Sequence, residues 1–170
     1  ATYKDGNAGA LTSGSVGIRL TGAANNVEIT GNTITSQQAD TSMNNGIALD
    51  GVSGSSTVTA NTNTFVLSDM SVPGNAFYLN PASGTSSVTL NADGNIVTSA
   101  TNFIAADNAE GITAYKISGD IKNNNFAVIT KYGLASVSKG TAPTLTVSVN
   151  QSGNSGVLTN PSETTNVNNE

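Results

Sequence analysis

Apolar residues return along this chain in four-residue phrases about thirty residues apart. Gly17-Ile18-Arg19-Leu20, Gly46-Ile47-Ala48-Leu49, Ala76-Phe77-Tyr78-Leu79, Asn102-Phe103-Ile104-Ala105 and Gly133-Leu134-Ala135-Ser136 begin 29, 30, 26 and 31 residues apart. A period in that range marks an architecture in which each unit buries its apolar side only against its neighbours. A second run follows each phrase: Val27-Glu28-Ile29-Thr30, Val58-Thr59-Ala60-Asn61, Val88-Thr89-Leu90-Asn91, Tyr115-Lys116-Ile117-Ser118 and Leu145-Thr146-Val147-Ser148. Strict alternation predicts strands with one face inward. Val27, Val58, Val88, Tyr115 and Leu145 form one predicted inward column, and Ile29, Ala60, Leu90, Ile117 and Val147 the next.

Three residues past the second column stand Asn32, Asn63, Asp93, Asp120 and Asn150. Short Asx side chains tolerate sharp bends, and stacked amides bond one another from layer to layer, so these five are predicted to form a turn ladder. A third strand follows, with Ile34, Phe65, Ile96, Phe126 and Val157 as its expected inward residues. Three strands per turn, with Gly, Asn, Ser and Pro at the corners, predict an all-β solenoid of about five coils. The corner at 36–45 holds Gln37, Gln38, Asp40 and Met43, and the corner at 68–75 holds Asp69, Met70 and Pro73. Loops recurring at one corner line up along one edge of such a stack, where repeat proteins place recognition, so these seven residues are the candidate ligand contacts. Residues 1–15 are expected to be a partial leading turn, 16–158 the repeat domain and 159–170 a mobile tail.

Composition sharpens this reading. Of 170 residues 36% are hydrophobic, which is thin for a two-layer globule and adequate for a tube one side chain wide. Only 10% are charged, the net charge is −5, and the six basic residues are scattered. No basic patch neutralises phosphates, which speaks against nucleic acid as a partner. No apolar run approaches the ~20 residues that span a bilayer. Cysteine is absent, and the chain starts at Ala1, consistent with a mature or excised segment exported through an outer membrane.

Reactive groups are sparse. There is no His, the commonest general base and metal ligand, and no catalytic residue, metal or cofactor is expected. On the outward positions of the second strand only Glu28 and Lys116 are charged, and they lie three repeats apart, roughly 14 Å on the usual strand spacing. Arg19 and Asp50 suit a surface ion pair, and Asp107 with Glu110 a pair of solvated corner charges.

The motif G-I-x-L … V-x-I-x-x-N-x-I stands most plainly in Gly17-Ile18-Arg19-Leu20 followed by Val27-Glu28-Ile29-Thr30-Gly31-Asn32-Thr33-Ile34. Over about residues 16–158 the chain therefore resembles the right-handed parallel β-helix (pectate-lyase-like) family. That family includes polysaccharide lyases, glycoside hydrolases, phage tailspikes and the passenger domains of bacterial autotransporter adhesins, and fold alone does not choose among them. The expectation here is a non-catalytic, extracellular or cell-surface segment similar to an adhesin passenger. Its implied role is cell adhesion in virulence, through a host-surface protein, a glycan or a sister cell, with self-association through open ends as a further expectation. The alternative is a fragment of a polysaccharide lyase or glycoside hydrolase. A third reading, a tail-fibre segment, implies a trimer.

Overall fold

The computed structural model describes residues 16–22, 26–35, 44–67, 74–108, 112–126, 132–138, 144–155 and 165–169. Its strands are β1 (Val16–Leu20), β2 (Val27–Thr30), β3 (Thr33–Thr35), β4 (Asn44–Asn61), β5 (Thr64–Val66), β6 (Gly74–Asp93), β7 (Ile96–Ser99), β8 (Asn102–Asn108), β9 (Ile112–Lys122), β10 (Tyr132–Ser138), β11 (Thr144–Ser152) and β12 (Thr165–Asn169). The described residues contain no helix, and all strand pairs between them are parallel. Apart from β12, whose residues lie 18 past their partners in β11, each strand pairs with one about thirty residues away, so the sheets are stacked repeats, an arrangement compatible with a parallel β-helix. The long strands β4 and β6 join two stacks: their first halves pair with β1 and β8, their second halves with β2 and β9. The third stack is β3-β5-β7, extended by a bridge from Ile96 to Asn125.

Register corrects the predicted columns from the third repeat onward. Val58 faces Leu90 rather than Val88, and Ile29, Ala60, Ala92 and Ile121 share one column with Gln151. The fourth apolar phrase is shifted by one: Asn102 faces Asn75, so Phe103 lies over Ala76 and Ile104 over Phe77. In the third strand Val97 faces Phe65 and is buried, while Ile96 faces Thr64 and is 45% exposed. The reason is uneven repeat length. A slip of one residue turns a side chain to the opposite face, and a slip of two moves it along the same face, so alternation alone does not detect the latter. The segment expected as a mobile tail contains β12, which pairs with β11 from Val147 to Gln151. Val157 and residues 1–15 lie outside the described residues.

Between the sheets the core is continuous. Ile47, Leu49, Val58, Phe65, Phe77, Leu79, Leu90, Phe103, Ile117 and Phe126 have no solvent exposure. The four phenylalanines form a chain: Phe65–Phe77 and Phe77–Phe103 meet edge to face at 5.3 Å, and Phe103 stacks on Phe126 at 4.3 Å. Gly46 is required by this packing, because a Cβ there would lie 2.5 Å from the Phe65 ring and 2.8 Å from the Ala76 carbonyl oxygen. The other side of the first strand is covered as well. Ala48, Tyr78 and Ala105 are in register and buried, whereas Arg19 at the head of that column is exposed.

The bends are built alike. Gly31, Thr62, Gly94, Asn123 and Gly153 all adopt left-handed backbone, with φ of 70°, 53°, 63°, 53° and 65°. Each immediately precedes an asparagine: Asn32, Asn63, Asn95, Asn124 and Asn154. Thr62 is the costly member, because a β-branched residue is strained there by about 1–2 kcal/mol. Thr62→Gly is therefore expected to stabilise the fold by about 1 kcal/mol, part of the gain being offset by the looser unfolded chain. A higher urea midpoint at unchanged slope is the expected readout.

Candidate functional site

The bend asparagines form the most organised polar array in the described residues. The backbone N–H and the Nδ2 of each donate to Oδ1 of the next: Asn32 to Asn63, Asn63 to Asn95, Asn95 to Asn124 and Asn124 to Asn154, all within 2.8–3.1 Å. The second Nδ2 proton reaches back to a carbonyl of the preceding repeat, from Asn63 to Ile29, Asn95 to Ala60, Asn124 to Ala92 and Asn154 to Ile121, at 2.7–2.9 Å. Each interior amide thus spends both donors and both lone pairs. Asn63, Asn95 and Asn124 are buried without an unmet polar atom, so this array holds the stack together and has no group left to offer a ligand.

Asn32 and Asn63 belong to this ladder, as predicted positions. From the third repeat its members are Asn95, Asn124 and Asn154 rather than Asp93, Asp120 and Asn150. Those three lie on the outer face, where a carboxylate stays in water. Asp93 accepts from Asn123 Nδ2 at 3.0 Å, and its own N–H donates to Asn61 Oδ1 at 3.2 Å. Asp120 accepts from Asn150 Nδ2 at 2.9 Å and lies 3.4 Å from Lys122 Nζ. Polar side chains of this face bond between repeats elsewhere too, as in Ser87–Ser55 at 3.0 Å and Thr89–Ser118 at 3.2 Å. Glu28 stands over Thr59 and Lys116 beside Ser87, in different columns.

A second amide array escaped the sequence reading. Asn45, Asn75 and Asn102 are in register, buried, and joined by Nδ2-to-Oδ1 bonds of 2.8 Å that run from Asn102 to Asn75 to Asn45, opposite in sense to the bend ladder. The buried Oδ1 of Asn102 ends this array without a partner, in register with Tyr132. The sequence signal was the recurrence of asparagine at the entrance to these strands, Asn45 and Asn75 just before their apolar phrases and Asn102 at the head of the next.

Asp120 is the group whose titration the face perturbs. The hydrogen bond from Asn150, then that from Lys122, hold its carboxyl below the usual aspartate range, against a small opposing effect of desolvation. A depressed folded pKa stabilises the fold above the unfolded pKa, and the gain is lost as pH falls through the folded value. Exposure keeps the effect small. Asp120→Asn is expected to flatten the fall of the thermal midpoint between about pH 6 and about pH 3 relative to the parent chain.

The seven candidate contact residues, Gln37, Gln38, Asp40, Met43, Asp69, Met70 and Pro73, lie outside the described residues, as do Glu110 and the side chains of Asp50 and Asp107. Among the described residues no three Asp, Glu, His or Cys side chains converge, and no helix is long and apolar enough to cross a membrane. Comparison with known proteins returns no matching family model, no matching curated protein and no matching solved structure.

Proposed function

We propose that the chain winds as a right-handed parallel β-helix of five three-stranded coils and serves as a non-catalytic stalk in a bacterial surface or secreted adhesin. The observation that carries this reading is the unbroken bend ladder from Asn32 to Asn154, which clamps every coil to the next. A column of fully bonded amides over an aliphatic and aromatic core resists bending and shear, and each added coil lengthens the rod by about 4.8 Å. Contact with a host protein, a glycan or a sister cell falls to the corner loops around Gln38, Asp40 and Asp69.

The test pairs binding with turnover. The chain is expected to bind cells or immobilised glycans, to lose that binding on joint substitution of Gln38, Asp40 and Asp69 by alanine, and to leave pectin, alginate and chondroitin intact. Release of unsaturated products or reducing ends at enzymatic rates would replace this reading with the polysaccharide lyase or hydrolase alternative.

A further inference from the structure

The bend ladder has a direction, and its two ends differ. At Asn32 the Oδ1 accepts no hydrogen bond among the described residues, and the Nδ2 proton that elsewhere crosses to the preceding repeat turns instead onto the chain's own Thr30 carbonyl at 3.2 Å. At Asn154 the situation is reversed. Oδ1 is filled by Asn124, while the backbone N–H and one Nδ2 proton find no acceptor among the described residues. One end lacks donors where the other lacks acceptors. The apolar column is similarly open at the first repeat: Ile18, Leu20 and Val27 are only partly buried, whereas the residues over them, Ile47, Leu49 and Val58, are fully buried.

We infer that a second copy of this chain docks head to tail, its β2 taking the place of β12 on β11 and its Asn32 becoming the rung beyond Asn154. The registers agree. β12 sets Val167 opposite Val149 and Asn169 opposite Gln151. Asn32 lies five residues past Val27, as Asn154 lies five past Val149. Seating Asn32 over Asn154 therefore sets Val27 on Val149 and Ile29 on Gln151. Asn32 Oδ1 then accepts from the Asn154 N–H and Nδ2, and Asn32 Nδ2 turns from Thr30 to the Gln151 carbonyl, the position equivalent to Ile29 and Ile121 in the other rungs. A contact between unlike ends does not close on itself and grows into filaments. β12 occupies the seat and holds growth back, as short polar edge strands do. The inference rests on the winding proposed above.

The chain has no cysteine, so introduced thiols report the joint. Thr33 and Ser155 are exposed, and in register they fall in one column: Thr33 pairs with Thr64, Thr64 with Ile96, Ile96 bridges to Asn125, and Ser155 Oγ donates to Asn125. Within one chain they are four layers apart, about 19 Å, beyond the ~7 Å limit for a disulfide. Full-length Thr33→Cys and Ser155→Cys chains, mixed under mild oxidation, are expected to yield the mixed disulfide dimer several-fold above either homodimer. Yield is expected to rise further when both chains carry Val167→Pro, which weakens β12. Asn32→Ala in the Thr33→Cys chain is expected to suppress it. A statistical mixture of dimers, no mixed dimer with β12 intact or weakened, or indifference to Asn32→Ala overturns the docking while circular dichroism stays β-rich. A parent chain without a β spectrum overturns the winding itself.

Discussion

Asn63→Ala is expected to destabilise the protein by about 3–5 kcal/mol, read as a large fall in the urea midpoint, because stranding a buried polar group costs about 1–3 kcal/mol and this substitution strands several at once. The Ile29 carbonyl loses its donor, and the Asn32 N–H and Nδ2 lose their common acceptor. Only Asn95 Oδ1 is partly spared, since it keeps the backbone N–H of residue 63. The same change at Asn32 serves as the control. Asn32 is half-buried and its Oδ1 accepts no hydrogen bond among the described residues, while Asn63 Oδ1 keeps the N–H of residue 32, so Asn32→Ala is expected to cost about 1 kcal/mol or less, the net worth of an ordinary hydrogen bond. Equal losses at the two positions would show that the ladder does not act through burial of its rungs.

Phe103→Ala is expected to cost about 3–5 kcal/mol through the cavity it leaves. Phe103 is the hinge of the aromatic chain: it meets Phe77 edge to face and lies flat on Phe126, and it has no solvent exposure. The neighbouring residue in its column is Ala76, too small to expand into the space. Phe103→Leu, which keeps most of the volume, is expected to cost less than about 2 kcal/mol. Thermal midpoints of the two variants measured side by side check the ranking. A loss as small for alanine as for leucine would mean that the sheets collapse around the gap.

Much of the stack was legible in the sequence because its signals are local. Alternation in Val27-Glu28-Ile29-Thr30 and Val58-Thr59-Ala60-Asn61 identifies two strands that pair as read, and the placing of Asn32, Asn63, Ile34 and Phe65 follows from the same spacing. Register failed at the third repeat, where the superposition of Val58 on Val88 was favoured by like side chains although the chain there is two residues longer before the bend. Nothing in a two-residue period penalises a two-residue slip. A better anchor was present: Gly31-Asn32, Gly94-Asn95 and Gly153-Asn154 repeat one dipeptide, a residue free to turn left-handed and then the rung. Asp93 was also a poor rung on chemical grounds. An ionised carboxylate has no proton to give the next oxygen, and burying it is costly. The Asn45, Asn75 and Asn102 array was hidden for another reason, since its members sit at a strand entrance where asparagine ordinarily signals a solvent-facing turn.

The Asn45 array also bears on how the protein ages. An asparagine followed by glycine loses its side-chain amide readily in a flexible peptide, because the unhindered backbone nitrogen of the glycine attacks the side-chain carbonyl and closes a succinimide ring. Asn45-Gly46 is the one such dipeptide in this chain. Here the carbonyl in question accepts from Asn75 Nδ2, in an extended strand and out of contact with water. Deamidation at Asn45 therefore waits on local opening of the first stack, and the slow appearance of isoaspartate in a stored sample is a clock for that opening.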